Sequence, residues 1–225
     1  SKYDFGLLSE ELKDDKSRME KDYHWCIDPL DGTLPFTERK TGYAVSIALL
    51  DRNGTPHIGV VFDPSHDNLY SAIKGRGVFK NGVDLLVSKA SQNIFTFVTD
   101  RSFLQHPEFE DVRRFISQVA DQRGLQVNII SHGGAVMNAL WLLDHEPAMY
   151  FKFPKAALGG GSVWDYAATA CVFDSLGLQP IDCFGEKLNF GDPKRTFMNL
   201  GGVVYATDVE LRQQVVDFYH QSKMR

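Results

Sequence analysis

Cysteine is scarce in this chain: three residues in 225, at Cys26, Cys171 and Cys183. Their number is odd, their spacing is wide, and no CxxC pair or histidine at zinc spacing accompanies them. That excludes a disulfide framework and a Cys/His zinc site. They are expected as reduced core residues, which points to a cytoplasmic compartment. Long hydrophobic runs are also missing. The longest, Tyr43–Leu50 and Ala135–Leu143, fall well short of the ~20 residues that cross a bilayer, so no membrane partner is expected. No signal-peptide pattern stands at the start, although the first residue is Ser1 rather than Met and the natural start is expected upstream. Positive charge is not in excess: 24 Lys+Arg against 29 Asp+Glu give a net charge of −5, unsuited to a nucleic-acid polymer. There is no internal repeat and no low-complexity stretch.

Apolar material is plentiful, at 43% of residues with 16 Phe and 8 Tyr, which excludes intrinsic disorder. A chain of this mass buries roughly 70% of its unfolded surface, enough for one large domain or two small ones. Strands are predicted at 4–8, 24–27, 43–50, 57–62 and 69–73. Asp51-Arg52-Asn53-Gly54 forms a hairpin turn between the third and fourth. The charged stretch Lys13–Asp22 reads as a solvated, mobile loop. Gly75, Gly77 and Asn81-Gly82 mark turns rather than a nucleotide fingerprint. Beyond residue 93 strands and helices alternate. Strands are predicted at 94–98, 127–130, 148–151 and 203–206, and helices at 108–120, 135–143, 165–176 and 209–219. This order predicts an α/β (α+β) fold with two sheets, divided into subdomains 1–90 and 91–225.

The stretch richest in chemistry is Asp28-Pro29-Leu30-Asp31-Gly32-Thr33. It places two carboxylates three residues apart in a turn. Pro29 fixes one φ angle, and Gly32 permits a conformation or close approach closed to other residues. Thr33 is expected to cap a short helix over Leu34–Glu38. Carboxylates recruit hard cations, and helix N-terminal amides favour phosphate. Cation and phosphate side by side are what phosphoester chemistry needs. The same hexapeptide is also a good surface turn. Likewise Glu10-Glu11 is readable as a solvated pair, and Asp165 as a helix N-cap.

Read together, Ser9-Glu10-Glu11, Asp28–Thr33 and Trp164-Asp165-Tyr166-Ala167-Ala168 resemble the signature of the inositol monophosphatase superfamily. That group includes inositol monophosphatases, 3′-phosphoadenosine 5′-phosphate nucleotidases and fructose-1,6-bisphosphatases. The resemblance continues through Gly59–Pro64, Gly75–Gly82 and Ser131–Val136 and so spans nearly the whole chain. It implies a layered αβαβα sandwich and a lithium-sensitive, Mg²⁺-dependent phosphatase, with two or three Mg²⁺ per site and a homodimeric assembly. It implies that Glu10 binds the first metal and helps activate water, that Asp28 and Asp31 bridge metals, and that the Leu30 carbonyl is a further ligand. Gly32 and Thr33 would contact phosphate, with the Thr33 hydroxyl also orienting the attacking water. Asp165 would bind the second metal. Gly133, Gly134 and Ala135 would line the phosphate or substrate side.

The family normally carries an N-terminal helical segment, with another acidic residue, before the first motif. Here nine residues, Ser1–Ser9, precede Glu10. Inositol-specific relatives carry Glu seven residues before the Asp of the Trp-Asp motif, where this chain has Leu158. Nucleotidase-like relatives carry Lys where Met137 stands. The wording of the first two motifs leans to the nucleotidases and Asn138 to the inositol enzymes. Lys152 and Lys155 are candidate phosphate contacts, against the usual fate of lysine as a solvated side chain. The substrate expected is therefore a small phosphorylated polyol or nucleotide. The alternatives are a silent metal- or phosphate-binding regulator on the same fold and a glycosidase using paired carboxylates. The second alternative leaves the Gly-Thr phosphate turn without a purpose.

Overall fold

The structure, a computed structural model, describes residues 4–85, 87 and 93–224. Among these, seven strands lie side by side in chain order: β1 (Gly6–Ser9), β2 (Tyr23–Asp31), β3 (Ala44–Asp51), β4 (Pro56–Asp63), β5 (Asn68–Ile73), β6 (Gly77–Lys80) and β7 (Val83–Asp84). β1 is parallel to β2, and every later pair is antiparallel. The predicted β3–β4 hairpin forms. Its turn is closed by the Asp51 carboxylate, which accepts the Asn53 and Thr55 amides at 2.9 Å each.

The second sheet has four described strands, β8 (Ile94–Val98), β9 (Gln126–Ile130), β10 (Ala148–Lys152) and β11 (Val203–Ala206), in the order β11-β10-β8-β9. β8 is parallel to both β9 and β10, whereas β11 runs antiparallel to β10. Five α-helices complete the described chain: α1 (Thr33–Thr37), α2 (Phe109–Gln122), α3 (Ala135–Leu140), α4 (Val163–Ser175) and α5 (Val209–Lys223).

Strand alternation builds two cores. Phe95, Phe97, Met149, Phe151 and Val204 point to one side of the second sheet, where they pack with Val112, Ile116 and Leu211 of α2 and α5. Val98, Tyr150 and Tyr205 point to the other side, toward α3, α4 and the inner residues of the first sheet, such as Leu8, Cys26 and Val61. α4 is buried on nearly every side because it lies between two sheets, and its run of Ala, Val, Cys and Phe follows from that position. The chain is an α/β layered sandwich with two sheets. Among the described residues the layers run sheet, helices, sheet, helices. The opposite face of the first sheet leaves Leu7, Tyr23, Leu69 and Ile73 exposed.

Three local expectations are corrected. Residues 13–22 are not a purely solvated loop: Ser17–Glu20 form a 3₁₀ turn in which Arg18 is 1% exposed and its guanidinium pairs with Asp14 at 3.1 Å. A long arginine stem buries well once its head is paired, which charge counting cannot see. The helix predicted to Leu143 is α-helical only to Leu140 and continues as a 3₁₀ turn, Trp141–Asp144. Finally, Asp28 and Asp31 do not lie in a free turn, because β2 runs through both. Asp28 sits opposite Ser46 and Asp31 opposite Ala44, so three steps on β2 match two on β3. This bulge of one residue brings both carboxylates to the buried side. All three cysteines are free and buried, as the sequence predicts. Among the described residues no helix is long and apolar enough to cross a membrane.

Candidate active site

Asp28, Asp31 and Asp165 converge, with one carboxylate oxygen from each lying within 4.8 Å of the others. Each arrives by a different route. Asp28 is fixed by its own strand: Oδ1 accepts the Leu30 amide at 2.9 Å. Asp31 is received by α3, whose first amides donate to it, Ala135 N–H to Oδ1 at 3.1 Å and Val136 N–H to Oδ2 at 2.9 Å. Asp165 lies in the first turn of α4 and reaches back to accept the amide of the N-cap residue, Ser162. It is therefore the third residue of the helix and not the N-cap.

Burial and mutual repulsion act together on these groups. Desolvation is the first cause holding Asp28 above the carboxylate range, followed by the charges of Asp31, Asp165 and Glu10. Burial also raises Asp31, with Asp165 adding to it, while the Val136 and Ala135 amides and Lys152 oppose the rise. Asp165 is raised by burial as well. Two buried carboxylates and a half-buried third, without a cation among them, favour protonation. The donor set is all oxygen, as hard divalent cations require. Asp28 Oδ2 is buried and has no hydrogen-bond partner, so a ligand atom stands ready for a cation. These residues fit Mg²⁺.

The other predicted residues are arranged around this cluster. Glu10 is exposed at the end of β1, outside the three-carboxylate group, and its amide donates to the Ile27 carbonyl at 3.2 Å. That bond ties it to β2, one residue before Asp28. The Leu30 carbonyl accepts from the Thr33 hydroxyl at 3.5 Å. Gly32, not Thr33, is the N-cap of α1, with φ of 82°. A Cβ there would meet the Gly42 carbonyl oxygen at 2.7 Å, so the turn needs glycine. Thr33 is the first residue of the helix, and its exposed hydroxyl lies beside the Leu30 carbonyl. Gly134 packs against Asp31 so closely that any side chain would strike the carboxylate. The Gly134 amide donates to the Gly42 carbonyl at 2.8 Å. The amides of Gly134 and Ala135 thus already serve the protein. Gly133 lies against Asn138 and Trp141.

One functional candidate, Asp100, lay beyond the motif reading. Asp100 follows β8 and pairs with Lys152 at the end of β10, at 2.8 Å. Asn138 Nδ2 donates to the other Asp100 oxygen at 3.2 Å. Lys152 is not a solvated lysine, since its side chain is only 19% exposed. β8 and β10 are parallel, and ligand sites gather at the carboxyl ends of such strands. The strand predicted at 94–98 was therefore the available signal for Asp100. This pair opens onto a 380 Å³ cavity walled by Phe103, Phe153, Lys155, Gly160, Met198 and Asn199. Leu158 is 76% exposed and Met137 is buried in the core.

Known proteins match this chain over nearly its whole length. The profile of the inositol monophosphatase family matches residues 2–221. An inositol-1-monophosphatase of Bacillus subtilis is 39% identical over 190 residues, which cover 82% of this chain and 66% of the relative. A 3′(2′),5′-bisphosphate nucleotidase, CysQ, of Shigella flexneri is 28% identical over 179 residues, 79% of this chain and 66% of the relative. The chain thus spans slightly under two thirds of these curated relatives. The crystal structure of CysQ from Bacteroides thetaiotaomicron, described as a bacterial member of the inositol monophosphatase family, superposes with a TM-score of 0.72. It is 26% identical, covering 91% of this chain and 78% of that one. With its motifs in register, its carboxylates gathered and a family match over nearly all its residues, the chain belongs to the inositol monophosphatase family.

Proposed function

We propose that the chain hydrolyses small phosphomonoesters, of a phosphorylated polyol or a nucleotide, using Mg²⁺ held by Asp28, Asp31 and Asp165. Glu10 and the Leu30 carbonyl complete the ligand set. The observation that carries this reading is the buried carboxylate cluster with one unpartnered oxygen, next to the Gly32-Thr33 turn. The names of the relatives, an inositol-1-monophosphatase and a 3′(2′),5′-bisphosphate nucleotidase, bound the substrate class.

Cations bound there neutralise the carboxylates, make a water more acidic and offset charge on the leaving oxygen. The rest falls to residues of the chain. Gly32 and Thr33 open α1, and the first amides of a helix have no intrahelical acceptor, so they are available to phosphoryl oxygens. The Thr33 hydroxyl, anchored on the Leu30 carbonyl, orients the attacking water in line with the leaving group. α3 holds Asp31 in one orientation through two amides, so no reorganisation is needed at reaction. Lys152, fixed by Asp100, adds a positive charge beside the carboxylates. No covalent intermediate on the protein is required. We further propose a cytoplasmic, lithium-sensitive homodimer, the first from the free, buried cysteines and the rest from the family resemblance.

The test is phosphate release from inositol 1-phosphate and from 3′-phosphoadenosine 5′-phosphate, with Mg²⁺ and with chelator. Release that depends on Mg²⁺ is expected. No release from either ester, with cations present, sinks the reading.

A further inference from the structure

Ser46 is the one hydroxyl in a strand that otherwise reads Ala, Val, Ile and Leu as far as Asp51. It is 0% exposed and stands directly opposite Asp28 of β2. Residues opposite each other in an antiparallel pair share a face, so the hydroxyl and the carboxylate project to the same side of the sheet. There the Ser46 hydroxyl donates to the Trp164 carbonyl of α4 at 3.1 Å. Trp164 immediately precedes Asp165, so that carbonyl and the Asp165 amide belong to one peptide group. The group is planar, and holding its oxygen places the Asp165 Cα. One buried hydroxyl thus joins the strand pair that carries Asp28 to the helix turn that carries Asp165.

The other contacts around this turn do different work. Gly59 of β4 lets the α4 backbone lie directly on the first sheet, since a Cβ there would strike the Ala168 carbonyl. That contact sets the height of the helix, but apolar packing is non-directional. The Val163 amide donates to the Thr196 carbonyl at 2.8 Å, which ties the turn to a later segment of the chain rather than to the sheet. The Ser162 amide orients the Asp165 side chain on its own helix. Ser46 supplies the directional bond that seats the turn against β2 and β3.

The spacing it fixes has a chemical consequence. Mg²⁺ demands near-octahedral oxygen ligands at about 2.0–2.1 Å, whereas Ca²⁺ accepts irregular geometry at about 2.3–2.6 Å. A few tenths of an ångström between two carboxylates therefore separate the two cations. We propose that Ser46 is a positioning residue that sets the Asp28–Asp165 spacing, and with it the preference of the site for Mg²⁺ over Ca²⁺. The proposal rests on the reading above that these carboxylates hold a cation. Ser46 acts through the Trp164–Asp165 peptide and not as a ligand.

The experiment titrates the cation-free full chain with Mg²⁺ and, separately, with Ca²⁺ by calorimetry. Ser46→Ala removes the donor. Val61→Ala truncates the fully buried residue opposite Ser46 on β4 and serves as the control for lost packing. Ser46→Ala is expected to raise the Mg²⁺ Kd about tenfold and to leave the Ca²⁺ Kd within about twofold of wild type. Val61→Ala is expected to lower Tm with both constants within about twofold. An unchanged Mg²⁺ Kd in Ser46→Ala overturns the proposal, as does an equal rise for both cations or the same loss of preference in Val61→Ala. Wild type that binds Ca²⁺ as tightly as Mg²⁺ overturns it too. If Ser46→Ala fails to fold, Ser46→Cys, which keeps only a weak donor, carries the same comparison. Wild type that binds neither cation overturns the cation reading and this proposal with it. Wild type that binds Mg²⁺ but releases no phosphate from either ester overturns the phosphatase reading alone.

Discussion

Two helix N-termini each present one carboxylate to the same cluster, and they do so in opposite ways. α4 carries its own: Asp165 stands in the first turn and accepts the Ser162 amide three residues back. α3 receives one from elsewhere, its Ala135 and Val136 amides bonding to Asp31 from more than 100 residues away in sequence. The first arrangement is local and would exist in an isolated turn. The second exists only when both sheets and α3 are assembled. One carboxylate is thus placed by secondary structure and the other by the whole fold.

The largest expected effect treats the two alike. Asp31→Asn and Asp165→Asn should each lower kcat/KM by about 10³-fold or more, because each removes a full charge from the cation site. Phosphate-release kinetics checks this, and retained turnover in either variant would remove that residue from the site.

Cation binding comes next. Asp28 and Asp31 are raised to about 9 and about 8, above the ordinary unfolded value near 3.9. Between those limits the folded state binds more protons than the unfolded one. Stability of the cation-free protein is therefore full at acid pH, below the unfolded value, and falls as pH rises toward 8 and 9. Added Mg²⁺ should restore about 2.7 kcal/mol at a hundredfold excess over its Kd, if it binds only the folded state. At one fixed Mg²⁺ concentration the gain should be larger at pH 9 than at pH 6, and smaller in Asp31→Asn. Thermal melts across pH, with and without Mg²⁺, measure it.

Stability then separates the two helices. Gly134→Ala drives a methyl group into the Asp31 carboxylate and should cost about 1–3 kcal/mol in denaturant unfolding, the range for overpacking a tight site. The smallest effect is on α4. Asparagine at position 165 can still accept the Ser162 amide, so Asp165→Asn should change cation-free stability by less than about 1 kcal/mol. If it destabilises as much as Gly134→Ala, the local character assigned to α4 is wrong.

The same contrast explains what was legible in the sequence. The β3–β4 hairpin, the α2 periodicity and the alternation beyond residue 93 rest on neighbours in sequence, and the structure has them. Asp28, Asp31 and Asp165 were readable because their motifs are short and in order. Asp100 was legible only as a residue following a predicted strand, and its part in the site emerges when β10 brings Lys152 beside it. Asn199 was not legible, since its side chain bonds to the Lys155 and Ala157 carbonyls more than 40 residues earlier. Arg18 escaped for a similar reason: a ten-residue stretch with nine charged or polar side chains reads as solvated until a fold is there to cover one of them. The N-cap of α1 was missed by one residue, because a positive φ at Gly32 is a property of the chain's path.

The bulge in β2 makes the cluster a matter of parity. In a regular strand, residues separated by an odd number of steps point to opposite faces, and Asp28 and Asp31 are three steps apart. The single extra residue opposite β3 turns that odd count into an even one. Deleting Pro29 would set two steps of β2 against two of β3, which a regular strand matches with both aspartates on one face. Inserting one residue there would make the count odd and send Asp28 and Asp31 to opposite faces. The pair between them therefore acts as a spacer, and substitution of its side chains should be tolerated far better than an insertion.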